Sequence, residues 1–140
     1  AKPAHADEVW LQDADVAGNA EVAAAKIAVT RAQRADVKAF AQKMLDEHGA
    51  TNRAVADLAT KLGVALPAEK PKDHGLDDVK ADKFDAAYLE AQVKDHEKAV
   101  KLFEDGAKSK NAEIRSLAEK TLPAIREHLA EAKRLASTHG

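Results

Sequence analysis

The sequence predicts an all-α fold, a four-helix bundle formed by the 140 residues as one domain. Composition is the first indication. Apolar residues make up 45% of the chain and charged residues 33%, but aromatic residues only 4%, which is typical of alanine-rich helix bundles. Spacing is the second, because apolar residues recur every three or four positions along four long stretches, as on one face of a helix.

Helix-ending residues divide these stretches. Gly63 is a natural terminator of the second helix, and Ser109 or Asn111 is suited to cap the start of the fourth. Pro123 falls inside the fourth helix, where it removes one backbone hydrogen bond, so we expect a kink there. The predicted helices cover about residues 7–34, 36–62, 77–105 and 111–136.

The segment 63–75 is the one long connection that the sequence predicts, and it contains two prolines and two glycines. Extended, it spans about 40 Å, which is the length of a helix of this size. The bundle is therefore either plain up-down or ferritin-like, with one crossover between the second and third helices. His74 lies in this connection, where we expect it to be solvated.

Each predicted helix carries a titratable residue where an apolar one is expected. His48 stands in the apolar stripe of the second helix and His128 in that of the fourth. His96 takes a core position of the third helix, between Val93 and Val100. Glu21 lies in the middle of the alanine-lined face of the first helix. Buried groups of this kind either pair with one another or bind something.

Counting 1.5 Å per residue from the turns predicts which of these groups meet. Glu21 and His48 each lie about 20 Å from the turn between the first two helices, and His96 is close to mid-helix, so these three share one level. His128 is about 10 Å away from that level. We therefore expect a cluster of Glu21, His48 and His96, and leave open whether His128 joins it.

Further polar residues lie near the predicted cluster. Asp85, Tyr88 and Gln92 climb the same side of the third helix as His96, and Asn52 follows His48 by one turn. We expect these four side chains to surround the cluster and to orient its imidazole rings by hydrogen bonds.

One carboxylate with two or three imidazoles suits a single transition metal ion, with Zn²⁺ the first choice and Cu²⁺ or Fe²⁺ also acceptable. The sequence thus favours metal binding, in storage, buffering or stress protection. The alternative is a metal-free structural or interaction module of the cell envelope, whose buried Glu–His hydrogen-bond network sets the helix register. No Ser-His-Asp pattern, phosphate loop or nucleophile elbow is recognisable, so the sequence favours binding over catalysis and leaves enzymatic activity open.

Charge and composition argue against several other classes of protein. The net charge is −2 with both signs interspersed, so no basic stripe indicates nucleic acid as a partner. No apolar run approaches the roughly 20 residues of a membrane-spanning helix. The chain has no cysteine, which excludes thiolate chemistry. The sequence names no protein partner and no oligomeric state.

Three runs of the sequence resemble the DUF4142 family over about residues 8–136: FAQKMLDEH (40–48), FDAAYLEAQVKDHEKAVKLFE (84–104) and LPAIREHL (122–129). The resemblance implies a ferritin-like four-helix fold and an exported, periplasmic location in bacteria, without a settled activity. It further implies that Glu21, His48, His96 and His128 are the characteristic polar positions of the family. The chain begins at Ala1 without a methionine, and we expect that a signal peptide has been removed.

The sequence departs from ferritin-like di-iron proteins at two positions. Those proteins use Glu-x-x-His on two of their helices. Here Leu45 stands three residues before His48, and Ile125 stands three before His128. With both carboxylates missing, a mononuclear site is the better prediction.

Overall fold

Four long α-helices form the structure, a computed structural model that describes residues 4–68 and 70–138. Within those residues there is no strand, which confirms the all-α prediction. The helices are α1 (His5–Arg31), α2 (Ala35–Leu62), α3 (Phe84–Gly106) and α4 (Ala112–Ser137). No helix in the described ranges combines the length and the apolar character that crossing a membrane requires.

The third helix begins later than predicted. Residues from 76 to 83 form two short 3₁₀ turns, Leu76–Asp78 and Ala81–Lys83, and α3 starts only at Phe84. Extended backbone at Val79 and Lys80 separates the two turns and interrupts the helical hydrogen bonding. The first helix also ends earlier than predicted, at Arg31, because the next residue is extended.

Two of the predicted helix ends are observed. Gly63 adopts the left-handed conformation (φ 73°) directly after α2. The side chain of Asn111 caps α4 by accepting hydrogen bonds from the backbone N–H groups of Glu113 and Ile114. Pro123 lies inside α4, which continues as one helix from Ala112 to Ser137.

The helices form two antiparallel hairpins, α1/α2 and α3/α4. Between the hairpins, α1 packs on α3 and α2 on α4, whereas the diagonal pairs hardly touch. The start of α3 lies beside the α1–α2 turn, where the Asp85 carboxylate accepts hydrogen bonds from the backbone N–H groups of Gln33 and Arg34. The helices α2 and α3 therefore point the same way, which requires the connection between them to return along the bundle. This is the ferritin-like arrangement with one crossover.

The apolar core is divided into two clusters, one towards each end of the bundle. Phe40, Met44, Phe84 and Tyr88 dominate the cluster beside the α1–α2 turn. Trp10, Leu11, Val55, Phe103 and Ile114 dominate the other. The buried polar residues in the middle of the bundle are Glu21, His48, Gln92, His96 and His128. A polar layer therefore interrupts the core at mid-height.

Trp10 closes the bundle at the end opposite the α1–α2 turn. Its ring packs edge-on against Phe103, with 5.2 Å between centroids. Its indole N–H donates a 2.7 Å hydrogen bond to the carbonyl of Leu102. A Cβ at Gly106 would lie only 2.7 Å from the indole ring, so this approach requires glycine.

Gly106→Ala is expected to destabilise the protein by about 1–3 kcal/mol, because the added methyl group meets an indole ring that its hydrogen bond holds in place. Gly49→Ala is the matched control. The nearest atom to its added Cβ is 3.8 Å away, so better helix propensity should stabilise α2 by about 0.5–1 kcal/mol. Urea denaturation of both variants measures the two effects. Equal stability of the variants would contradict the packing described for Trp10.

Candidate metal centre

Three histidines from three helices meet in the polar layer. His48 on α2, His96 on α3 and His128 on α4 each offer a ring nitrogen, and these nitrogens lie within 4.8 Å of one another. All three residues are buried. The ring centroids are 5.2 Å apart for His48 and His96, and His128 lies 5.5 and 5.6 Å from them. We call this group the histidine triad.

The backbone of α3 fixes the ring of His96. Its Nδ1 lies 2.8 Å from the carbonyl oxygen of Gln92, which can only accept a hydrogen bond. Nδ1 therefore carries the proton, and the lone pair of the neutral ring is on Nε2. That atom lies 3.2 Å from Nε2 of His48. The His96 lone pair thus points into the triad.

His128 is oriented by a carboxylate on the neighbouring helix. Its Nε2–H donates to Oε1 of Glu47 at 2.9 Å. Its Nδ1 is buried and has no hydrogen-bond partner among the described residues. In the neutral ring, Nδ1 holds an unused lone pair. A carboxylate behind a histidine is the arrangement that commonly orients metal-binding imidazoles.

Burial keeps two of these rings neutral. It lowers the pKa of His48 from 6.5 to about 3, with the neighbouring imidazoles of His96 and His128 adding to the effect. Burial likewise lowers the pKa of His96 to about 4, although its bond to the Gln92 carbonyl acts in the opposite direction. At neutral pH both rings therefore keep a lone pair available.

Glu21 lies on the opposite edge of the His96 ring. Its Oε2 is 3.8 Å from Nδ1, whose proton is directed to the Gln92 carbonyl. Because His96 is neutral near pH 7, this contact is not an ion pair. Glu21 groups with His74 and Asp95 instead of with the triad. The expected set of Glu21, His48 and His96 is thus replaced by three histidines, with the carboxylate to one side.

The counting estimate that set His128 about 10 Å away from the others is wrong. It compared backbone levels alone, but side chains lean towards the N-terminus of their own helix, so the rings of His96 and His128 on two antiparallel helices reach towards each other. The centroid distances of 5.5 and 5.6 Å place His128 beside His48 and His96.

The environment of Glu21 disfavours its charged form. The residue is 4% exposed, and neither carboxylate oxygen has a hydrogen-bond partner within the described chain. Burial raises its pKa well above 4.5, and the neighbouring Asp95 carboxylate raises it further, while the Gln92 amide has the opposite effect. A buried carboxylate without partners is costly, so it needs an explanation.

Sequence reasoning missed two residues beside Glu21. Asp95 was not among the predicted site residues, and His74, which is exposed as expected, was not expected to contact α3. The ring Nε2 of His74 lies 2.6 Å from Oδ2 of Asp95, which ties the crossover to α3. The spacing of residues in the sequence could not predict this contact, because it depends on the path that the connection between α2 and α3 takes.

The four predicted neighbours of the cluster differ in their placement. Gln92 is buried in the polar layer and Tyr88 in the apolar cluster beside the α1–α2 turn, and the Tyr88 hydroxyl and the Gln92 amide have no partner among the described residues. Asn52 donates to Asn19 and so links α2 to α1. The Asp85 carboxylate accepts two backbone hydrogen bonds in the α1–α2 turn, so this side chain is not directed at His96.

A cavity of about 480 Å³ connects this region to the surface. Its walls include His48 and His128 of the triad together with Glu21 and His74. Exposed lysines, Lys72, Lys98 and Lys120, also line it. An ion or a small molecule can therefore reach two of the three imidazoles.

Fold and site together define a helical bundle with a buried imidazole cluster. The model of the DUF4142 family, described as a domain of unknown function, matches residues 1–135, and the chain belongs to this family. A DUF305 fragment from Deinococcus radiodurans, known from a crystal structure, has the same fold, with a TM-score of 0.84 over 97% of this chain and 98% of that one. At 13% identity the likeness shows the fold alone. No functionally curated protein matches the chain.

Glu21→Gln is expected to stabilise the metal-free protein by about 1–3 kcal/mol at pH 7, because the amide removes the cost of a buried carboxyl group. The pKa of Glu21 is raised in the folded state, so the wild-type penalty grows as pH rises above 4.5. The gain should therefore shrink towards zero near pH 4. Urea denaturation with chelator measures it, and Glu119→Gln on the exposed face of α4 is the control. An equal gain at both pH values would contradict this account.

Stability of the metal-free protein is expected to fall as pH is lowered below about 6.5. The pKa values of His48 and His96 are lowered in the folded state, so the unfolded chain binds more protons between pH 6.5 and about 4. Each ring contributes a slope of up to about 1.4 kcal/mol per pH unit. His48→Gln should remove one such contribution, whereas His5→Gln should leave the slope unchanged. Denaturation in the Glu21→Gln background, which eliminates the opposing titration, gives the cleanest measurement.

Proposed function

We propose that this protein binds one transition metal ion at the histidine triad, in a storage, buffering or protective role. The distance of 3.2 Å between Nε2 of His48 and Nε2 of His96 carries the proposal. Two nitrogens bound about 2.05 Å from a tetrahedral ion lie roughly 3.3 Å apart. The two imidazoles thus already have the separation that one ion requires.

The donor set supports a transition metal. His48 and His96 would bind through Nε2, and His128 through Nδ1, the nitrogen that Glu47 leaves unbonded. Three neutral imidazoles without a thiolate suit Zn²⁺ first, with Cu²⁺ and Fe²⁺ as competitors. Three protein ligands leave one position on the ion for water or a small ligand from the cavity.

A second reading is a metal-free structural module of the cell envelope. One observation favours it: Nε2–H of His48 can donate to Nε2 of His96 across the same 3.2 Å, so two of the rings satisfy each other without an ion. The unused Nδ1 of His128 has no role in that reading. We further propose an exported, periplasmic location, as the family resemblance implies, and cell fractionation tests it.

Zn²⁺ is expected to bind with one equivalent at the triad and to raise stability by about 2.7 kcal/mol when free metal is a hundredfold above Kd. His48→Gln and His128→Gln should each weaken binding at least about tenfold, whereas His5→Gln should not. Isothermal titration and thermal unfolding with and without chelator measure both effects. Unchanged affinity in both triad variants, or no bound metal in the wild type, would leave the metal-free module as the function.

A further inference from the structure

A second polar group, formed by Glu21, His74 and Asp95, lies beside the triad. One ligand atom from each residue lies within 4.8 Å of the other two. The three residues come from α1, the crossover and α3, so no two belong to the same helix. The group and the triad lie on opposite edges of the His96 ring, since Glu21 approaches Nδ1 and His48 approaches Nε2.

Glu21 is the observation that points to a ligand. Its side chain is 6% exposed, and both of its oxygens lack a hydrogen-bond partner in the described residues. The side chain also lines the cavity together with His74 and Asp95, so a small ion can enter from solvent. Two ionised carboxylates held this close repel each other, which favours the protonated form of Glu21, and a divalent cation that replaces the proton turns the repulsion into attraction.

We propose that Glu21, His74 and Asp95 form a second divalent cation site, distinct from the histidine triad. Three ligands spaced evenly about 2.2 Å from one ion lie roughly 3.8 Å apart, so shifts of up to about 1 Å bring the three atoms onto one ion. Two oxygens and one nitrogen make a harder donor set than three imidazoles. The site therefore takes cations such as Mn²⁺ or Fe²⁺, whereas the triad favours Zn²⁺ or Cu²⁺.

The backbone conformation of His74 places its ring where it can bind an ion together with Asp95. The residue adopts a left-handed conformation (φ 61°), which is uncommon outside glycine. In that conformation its ring reaches Asp95 from the crossover. An ion bound by all three residues would fasten the crossover to α1 and α3, along one side of the cavity.

Mn²⁺ is the probe for this site, because the electron paramagnetic resonance signal of the free ion falls when the ion binds. We expect His74→Gln and Asp95→Asn each to weaken Mn²⁺ binding at least about tenfold. His128→Gln, which removes a triad ligand, should change it less than about threefold. The controls are His5→Gln and Asp57→Asn, which replace exposed residues elsewhere on the protein. Both site variants alter partly exposed side chains, and circular dichroism verifies that they fold.

The outcomes separate this site from the triad. Loss of Mn²⁺ binding in the His74 and Asp95 variants, with retention in His128→Gln, supports the second site even if Zn²⁺ fails to bind the triad. Unchanged Mn²⁺ affinity in the His74 and Asp95 variants overturns it, and so does loss of binding in His128→Gln alone. Failure of the wild type to bind Mn²⁺ at millimolar concentration also overturns it.

Proteolysis tests whether a bound ion holds the crossover against α1 and α3. Lys72 is exposed in the crossover, two residues from His74, and offers trypsin a cleavage site. Saturating Mn²⁺ should slow cleavage after Lys72 several-fold in the wild type and leave the rate unchanged in His74→Gln. Equal rates with and without Mn²⁺ in the wild type would show that no ion holds the crossover against the helices.

Discussion

A hydrogen bond of 2.8 Å from Nδ1 of His96 to the carbonyl of Gln92 sets the chemistry of the bundle interior. It places the proton of that ring on one edge and the lone pair on the other. The proton edge faces Glu21, and the lone-pair edge faces His48. One backbone contact within α3 thereby separates an imidazole-rich region from a carboxylate-rich one. The two proposed donor sets therefore lie on opposite edges of one ring.

The polar layer has a cost that the apolar clusters on either side must offset. Burial disfavours the charged forms of His48, His96 and Glu21 alike, because it raises the pKa of the carboxyl group and lowers the pKa values of the two imidazoles. Several of its polar atoms have no partner in the described part of the chain. A fold selected only for stability would place leucine in such a layer, because well-packed apolar residues are often the more stable choice. The metal binding that we propose would offset this cost.

Periodicity was sufficient to predict the four helices, their apolar faces and the burial of Glu21 and the three histidines, because each depends on residues three or four positions apart. It could not predict that the ring of His128 joins the triad, because counting residues along α3 and α4 gives backbone levels and not the reach of the side chains. Nor could it place His74 beside Asp95, since that contact depends on the path of a long connection. Periodicity placed Asp85 on the correct face of α3. It could not predict that α3 begins beside the α1–α2 turn, where the Asp85 carboxylate binds the backbone instead of approaching His96.

The position of Trp10 makes the bundle convenient to observe. It is the single tryptophan of the chain, and it lies roughly 16 Å along α1 from Glu21. Its indole is wedged against Phe103 and Gly106 of the second hairpin. Its fluorescence therefore reports separation of the two hairpins directly. A paramagnetic ion bound at mid-bundle would be too distant to contact the indole ring. Tryptophan fluorescence can therefore follow the packing of the two hairpins without an added label.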